Sequence, residues 1–146
     1  MTANVIESRL RVALLLLTLL VFVVTLTELV LEEHTQEALQ YIPFVLCGIG
    51  LVSIIAVLLK PQRPTLLVMR WVMVLVGLGG ILGIALHLIR NLEFEQEIRP
   101  NAAVVDLLGN TLKGASPLLA PGVMVFAALL ALTATYYHPA LGKRVQ

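Results

Sequence analysis

Hydrophobic residues in this chain are concentrated in four long runs, with the polar residues gathered between them. The runs cover residues 12–31, 42–59, 66–89 and 118–137. An α-helix rises about 1.5 Å per residue, so about 20 apolar residues span the roughly 30 Å hydrocarbon core of a bilayer. The pattern therefore predicts an all-α integral membrane protein, folded as one domain into an antiparallel four-helix transmembrane bundle.

Prolines mark the predicted helix ends. Pro43 fits the first turn of the second helix, where the backbone N–H groups have no partner within the helix. Two prolines in the basic turn at residues 60–64 stop that helix, so helices two and three should be antiparallel neighbours. Pro139 closes the fourth helix, because the residue before a proline is disfavoured in the helical region. The first apolar run is too long for a signal peptide and has no small-residue cleavage site, so we expect a retained membrane helix.

The segment at residues 90–117 is predicted to be the one long loop of the chain. Asn101 is a plausible N-cap and Gly114 a plausible C-terminal stop for a short amphipathic helix inside this loop. We expect that helix to lie on the outer membrane surface or to cap the bundle.

Charged residues predict the orientation of the bundle. Most of the basic residues fall at the chain termini and in the 60–64 turn. The positive-inside rule therefore places both termini in the cytoplasm. Nearly all acidic residues then lie at the outer face, and the outer loops carry no glycosylation sequon. These features suit a bacterial inner (plasma) membrane.

Composition limits the possible functions. The chain has 146 residues, 59% of them hydrophobic, and a mean hydropathy of +0.96. Its net charge of +1 and the lack of a basic cluster argue against nucleic-acid binding. The single cysteine, Cys47, leaves no pair for thiol redox chemistry.

A histidine and a glutamate form the most informative polar pattern. Glu28 and His87 should reach the same depth near the outer interface if helices one and three are neighbours. Intramembrane ionisable residues are costly and indicate a functional site. Small residues let helices approach closely, and we expect the third helix to pack on a neighbour, with helix one favoured, through a glycine face. The face consists of Gly79, Gly80 and Gly83, with His87 and Asn91 further along it.

Three interpretations of this cluster stay open. In the first, Glu28, His87 and Asn91 form a hydrogen-bonded clasp that fixes helix register. In the second, a metal such as Zn, Mn or Fe binds there, and His34 together with Glu32 or Glu93 completes its ligand set. In the third, the cluster relays protons or ions. Haem held by His34 and His87 is not favoured, because His34 is expected to be exposed beyond the end of helix one.

The acidic run at residues 93–97 is typical of a solvated segment, since no nucleophile or oxyanion motif accompanies it. We therefore expect a non-enzymatic accessory or scaffold subunit that contacts the lipid bilayer and either other membrane subunits or further copies of itself. The alternative is an outward-facing protein that binds a metal, a cofactor or a small ligand at Glu28 and His87. A proton- or ion-coupled transporter is the least favoured function.

Overall fold

The polypeptide is all-helical over the residues that the computed structural model describes, 3–114 and 118–142. The described residues form five α-helices and two single turns of 3₁₀-helix, one between the first two helices and one after the last. The α-helices are α1 (Ala3–Leu31), α2 (Ile42–Leu59), α3 (Arg63–Ile98), α4 (Val104–Leu112) and α5 (Leu119–Ala134). The 3₁₀ turns are Ala38–Tyr41 and Pro139–Leu141.

Three of the helices are long and apolar enough to cross a membrane. These are α1, α2 with its preceding 3₁₀ turn, and α3; α5 is a shorter apolar helix of 16 residues. Much of the apolar surface faces outward, including Leu20, Val52 and Leu78. Water would make such exposure unfavourable, whereas lipid tails accept it. Apolar helices of this length indicate a membrane protein in contact with the bilayer.

Helices α1 and α3 lie diagonally opposite each other. Each of them packs against both α2 and α5, and they make no extensive contact with one another. The expectation that helix one is the neighbour of the glycine face of α3 is therefore wrong. A Cβ atom on Gly80 would lie 2.8 Å from the carbonyl oxygen of Pro121, so α5 covers the glycine face of α3 at Gly80 and Gly83, and α2 covers it at Gly79.

The core lies between these four helices. Phe22 of α1, Ile54 of α2 and Met73 of α3 are fully buried, and the alanines of α5 close the core from the fourth side. The ring of Phe22 approaches Gly50 so closely that a Cβ atom there would lie 2.8 Å from it. Small residues on α2, α3 and α5 thus let the helices come close.

Several helix ends differ from the expected ones. Helix α1 begins at Ala3 rather than near residue 12, and Glu7 pairs with Arg11 one turn later within it. Helix α3 continues to Ile98, so the loop expected from residue 90 begins only at Arg99. No helix-breaking residue occurs before Pro100, which is why the acidic run stays helical. Helix α4 is capped by Ala103 and not by Asn101.

Candidate functional site

A cavity of about 540 Å³ opens at the end of the molecule where α1 ends and α2 begins. We call this end the upper end and this space the upper cavity. It forms because α1 and α3 face each other diagonally without packing together. Polar side chains in its lining are Thr25, Glu28, Glu32, His34, Gln40, His87 and Arg90. Apolar and small residues complete the lining, among them Leu29, Leu46, Gly79, Leu82, Gly83, Leu86, Pro121 and Met124.

The C-terminus of α1 turns back so that His34 reaches the cavity. Glu33 adopts a left-handed backbone conformation with φ 48°. The His34 N–H donates to the Leu29 carbonyl at 3.0 Å, and the Glu33 N–H donates to the Val30 carbonyl at 3.2 Å. This pair of hydrogen bonds is the Schellman arrangement, in which a left-handed residue ends the helix. His34 consequently lies above Leu29 and lines the same cavity.

The turn that follows is tied to α3. The side-chain oxygen of Gln40 accepts hydrogen bonds from the backbone N–H groups of Gln36 and Glu37, at 2.7 and 3.0 Å. Glu37 in turn forms an ion pair with Arg90 of α3 at 2.6 Å. The link joins the α1–α2 turn to α3 beside the mouth of the cavity.

Glycines on α3 determine the opposite wall. A Cβ atom on Gly83 would lie 2.9 Å from Pro121 of α5, and one on Gly79 would overlap the side chain of Leu46 of α2. These contacts hold α3 against α5 and α2. The same helix then presents His87 and Arg90 to the space facing α1.

The polar groups at the mouth carry an excess of negative charge. Burial lowers the pKa of His34, and the neighbouring His87 and Arg90 lower it further, so His34 is neutral near pH 7. The Arg90 charge is matched by Glu37. Among the described residues, neither Glu28 nor Glu32 forms an ion pair. The two carboxylates are therefore available to a ligand.

Four of the six candidate ligand residues meet at this cavity: Glu28, Glu32, His34 and His87. Asn91 does not line the cavity: it is buried beneath α4 and its amide donates to the Thr111 carbonyl at 3.1 Å. Glu93 is exposed and also lies outside the lining. The continuation of α3 beyond residue 90 turns these two positions away from α1.

The clasp expected between Glu28 and His87 is not a direct ion pair. The described part of the chain has ion pairs at Glu7–Arg11, Glu37–Arg90 and Glu95–Arg99, and none between Glu28 and His87. Nor do any three described His, Cys, Asp or Glu side chains come close enough together to hold a metal ion. The two residues share a cavity instead.

His34 was expected to be exposed, and the structure places it half-buried beside His87. Sequence reasoning also missed Arg90 and Gln40 as lining residues. The spacing from His87 to Arg90 is one that puts both on one helix face, which could have indicated Arg90. Gln40 had no such signal, because its position depends on the conformation of the turn.

No protein-family model, no curated protein and no solved structure matches this chain.

Proposed function

We propose that this chain is a non-enzymatic, multi-pass protein of the bacterial inner membrane that binds a small amphiphilic ligand in the upper cavity. The observation that carries this proposal is the cavity itself, which combines a charged mouth with an apolar floor. Its volume of about 540 Å³ falls in the range of small-ligand sites.

The proposal includes the membrane arrangement. Helices α1, α2, α3 and α5 form an antiparallel transmembrane bundle, with both termini in the cytoplasm and the upper end outside. The distribution of basic residues supports this orientation. Labelling of cysteine variants from the outer side tests it: Glu97→Cys, at an exposed position, should react and Gln62→Cys should be protected, and the reverse result would overturn the orientation.

The chemistry of the mouth favours a ligand with a basic group. Glu28 and Glu32 supply carboxylates, and the neutral His34 adds no opposing charge. An ammonium group can form charge-assisted hydrogen bonds to carboxylates. The apolar residues below, such as Leu29 and Leu82, would contact the hydrocarbon part of the same ligand.

A pair of probes with matched apolar parts tests this function. Octylamine should raise the unfolding temperature of the purified protein more than octanol does. Glu28→Gln should remove most of that difference, because it removes a cavity carboxylate. Glu97→Gln, at an exposed position outside the cavity, is the matched control and should keep it. Equal effects of octylamine and octanol on the wild type would contradict the proposal.

A metal ion is the alternative ligand for the same residues, as Glu28 and His87 offer oxygen and nitrogen donors. Elemental analysis of gently extracted protein tests it. Stoichiometric metal that is lost in His87→Gln would favour the metal, whereas metal-free protein that responds to octylamine would favour the organic ligand.

An accessory-subunit function is the second candidate, and a different surface favours it. The upper part of α3 and the helix α4 pack together and leave apolar side chains exposed, namely Phe94, Ile98, Val105, Leu108 and Leu112. Exposed apolar patches of this kind mark contacts with membranes or other proteins. A photo-cross-linking residue at Phe94 or Val105 should give the same protein adduct, and one at Gln96 or Asp106 should not. Adducts with lipid alone would contradict a subunit role.

A further inference from the structure

A second cavity, of about 460 Å³, lies at the opposite end of the molecule. We call it the lower cavity. Its polar lining comes from Glu7, Ser8 and Arg11 of α1 and from Thr135 and His138 after α5. Apolar residues of α1, α2 and α3 form the rest of the wall, including Leu15, Val57, Leu58 and Leu66. It shares no residue with the upper cavity.

Two arginines bond to the C-terminal end of α5: Arg11, which lines this cavity, and Arg70, which lies behind its wall. Arg11 donates to the carbonyl oxygen of Tyr137 at 3.1 Å and pairs with Glu7 at 3.1 Å. Arg70 donates to the Thr135 hydroxyl at 2.9 Å and to the Thr135 carbonyl at 3.1 Å. Cations here stabilise the helix end, because the carbonyl groups of the last turn carry partial negative charge.

The arginines bring more charge than this capping role needs. Within the described residues Arg70 forms no ion pair, and Glu7 is the one carboxylate in the lining. Burial lowers the pKa of His138, and Arg11 and Arg70 lower it further, so its imidazole is neutral near pH 7. Arg11 and Glu7 balance each other in the lining. Arg70 does not line the cavity, but it bonds to Thr135 of the wall and adds one positive charge beside the cavity.

The position of Arg11 makes this charge available to a bound group. Its side chain is only 17% exposed. A guanidinium has five N–H donors, and the contacts of Arg11 to Glu7 and Tyr137 both come from its Nη2 atom. Ser8 adds a hydroxyl group to the same lining, whereas the Thr135 hydroxyl already donates to the Leu132 carbonyl. Guanidinium and hydroxyl groups together are the donors that commonly hold phosphate oxygens.

We propose that the lower cavity binds a phosphate-bearing anion through Arg11, with Ser8 as a hydrogen-bond donor and Arg70, which lies behind Thr135, as a second positive charge. The phosphate can belong to an anionic phospholipid or to a free phosphate compound. Basic pockets between membrane helices hold lipid head groups in this way. The apolar wall of Leu15, Val57 and Leu58 offers a surface for an acyl chain.

Native mass spectrometry of the full-length protein, released from detergent, tests the site. Phosphatidylglycerol and phosphatidylcholine are titrated separately, and inorganic phosphate forms a third series followed by the unfolding temperature. We expect phosphatidylglycerol to bind in preference to phosphatidylcholine. Arg11→Gln should weaken this binding about tenfold, the size of one lost charge-assisted hydrogen bond.

Two further variants guard against misfolding and nonspecific charge effects. Glu7→Gln keeps the Arg11 contact to Tyr137 and removes the competing carboxylate, so it should tighten binding. Arg63→Gln removes an exposed charge outside the lining and should leave binding within about twofold of the wild type, since exposed charges are screened.

The outcomes separate the sources of the phosphate. Lipid binding that depends on Arg11 supports the site and assigns it to a phospholipid. Stabilisation by inorganic phosphate that depends on Arg11, without lipid selectivity, supports the site and assigns it to a free phosphate compound. Binding that is unchanged in both Arg11→Gln and Glu7→Gln, or absent for both phosphate sources, would overturn the proposal.

Discussion

The two halves of α3 are held in place by different chemistry. The helix has 36 residues and is therefore about 54 Å long, well beyond the roughly 30 Å of a bilayer core. In its middle, glycines bring the backbone against α5 and α2. In its last turns, Asn91 and Glu95 are buried, with Asn91 bonded to α4 and Glu95 paired with Arg99. The middle of the helix is held by close backbone packing at glycines, and its last turns are held by polar contacts.

The difference explains the location of the upper cavity. The glycines draw α5 onto one face of α3, and nothing comparable draws α1 onto the opposite face. His87 and Arg90 lie near the boundary between the two halves, and they face the space that this one-sided packing leaves. Close packing on one side of a helix can therefore leave a cavity on the other.

The largest expected effect comes from Gly80→Ala in the packed half. The added Cβ would lie 2.7 Å from a methyl carbon of Val125 and 2.8 Å from the Pro121 carbonyl oxygen, and a backbone atom cannot easily move aside. Overpacking of this kind costs about 1–3 kcal/mol. Unfolding in mixed detergent micelles measures the loss.

Gly77→Ala is the matched control for this substitution. Its Cβ would meet only Ala128, at an ordinary 3.6 Å. Because alanine is a better helix former than glycine, this change should leave stability equal or slightly higher. Equal losses for the two variants would show that close packing does not distinguish these positions.

Asn91→Ala probes the polar half and should act locally. The substitution removes the amide that donates to the Thr111 carbonyl, at a cost of about 1 kcal/mol. Hydrogen exchange should speed up in α4 and remain unchanged in α1 and α2. The exposed Gln96→Ala should alter neither. Faster exchange throughout the bundle would mean that the two halves of α3 are not independent.

A change of pH tests the upper cavity, which His34 lines together with His87 and Arg90 of α3. The pKa of His34 is lower in the folded protein than its ordinary value of 6.5, so the unfolded chain binds a proton more readily. Stability should be constant above about pH 7 and fall as the pH drops below 6.5, with a slope of at most about 1.4 kcal/mol per pH unit for one proton.

His34→Gln should reduce this dependence, and partial exposure of the imidazole makes the expected slope smaller than the limit. His138 has a lowered pKa for the same main reason, burial, so His138→Gln should remove a separate part of the slope. Unfolding measured between pH 5 and 8 checks both variants. An unchanged slope in His34→Gln would contradict a lowered pKa at that residue.

The smallest effect belongs to the Glu37–Arg90 pair beside the cavity mouth. Both side chains are about half exposed, so the pair should contribute only about 0.2–1 kcal/mol. A double-mutant cycle with Glu37→Gln and Arg90→Gln measures this coupling. Since salt screens exposed charges, the coupling should shrink in 1 M salt. A coupling that salt leaves unchanged would indicate that the pair is more buried than it is in this structure.

Parts of this molecule were accessible from its sequence and others were not. The apolar runs predicted membrane helices, and a basic turn between two prolines predicted the connection of α2 to α3. Glu28 and His87 were expected at one level, and both line the upper cavity. The inward position of His34 depends on the left-handed conformation of Glu33. The sequence did not predict this conformation, because glutamate rarely adopts it.

The sequence by itself indicated a helical membrane protein. The length and hydrophobicity of a segment are local properties, and they decide whether that segment can span a bilayer as a helix. It also determined which residues carry charge near each end of the helices. Only the tertiary structure decided that the glycine face of α3 also packs on α5, with α1 diagonal to α3. Glycine spacing shows that a helix can be approached closely but not which partner approaches, since every apolar helix offers lipid and its neighbours a similar surface. The upper cavity follows from that choice of partners.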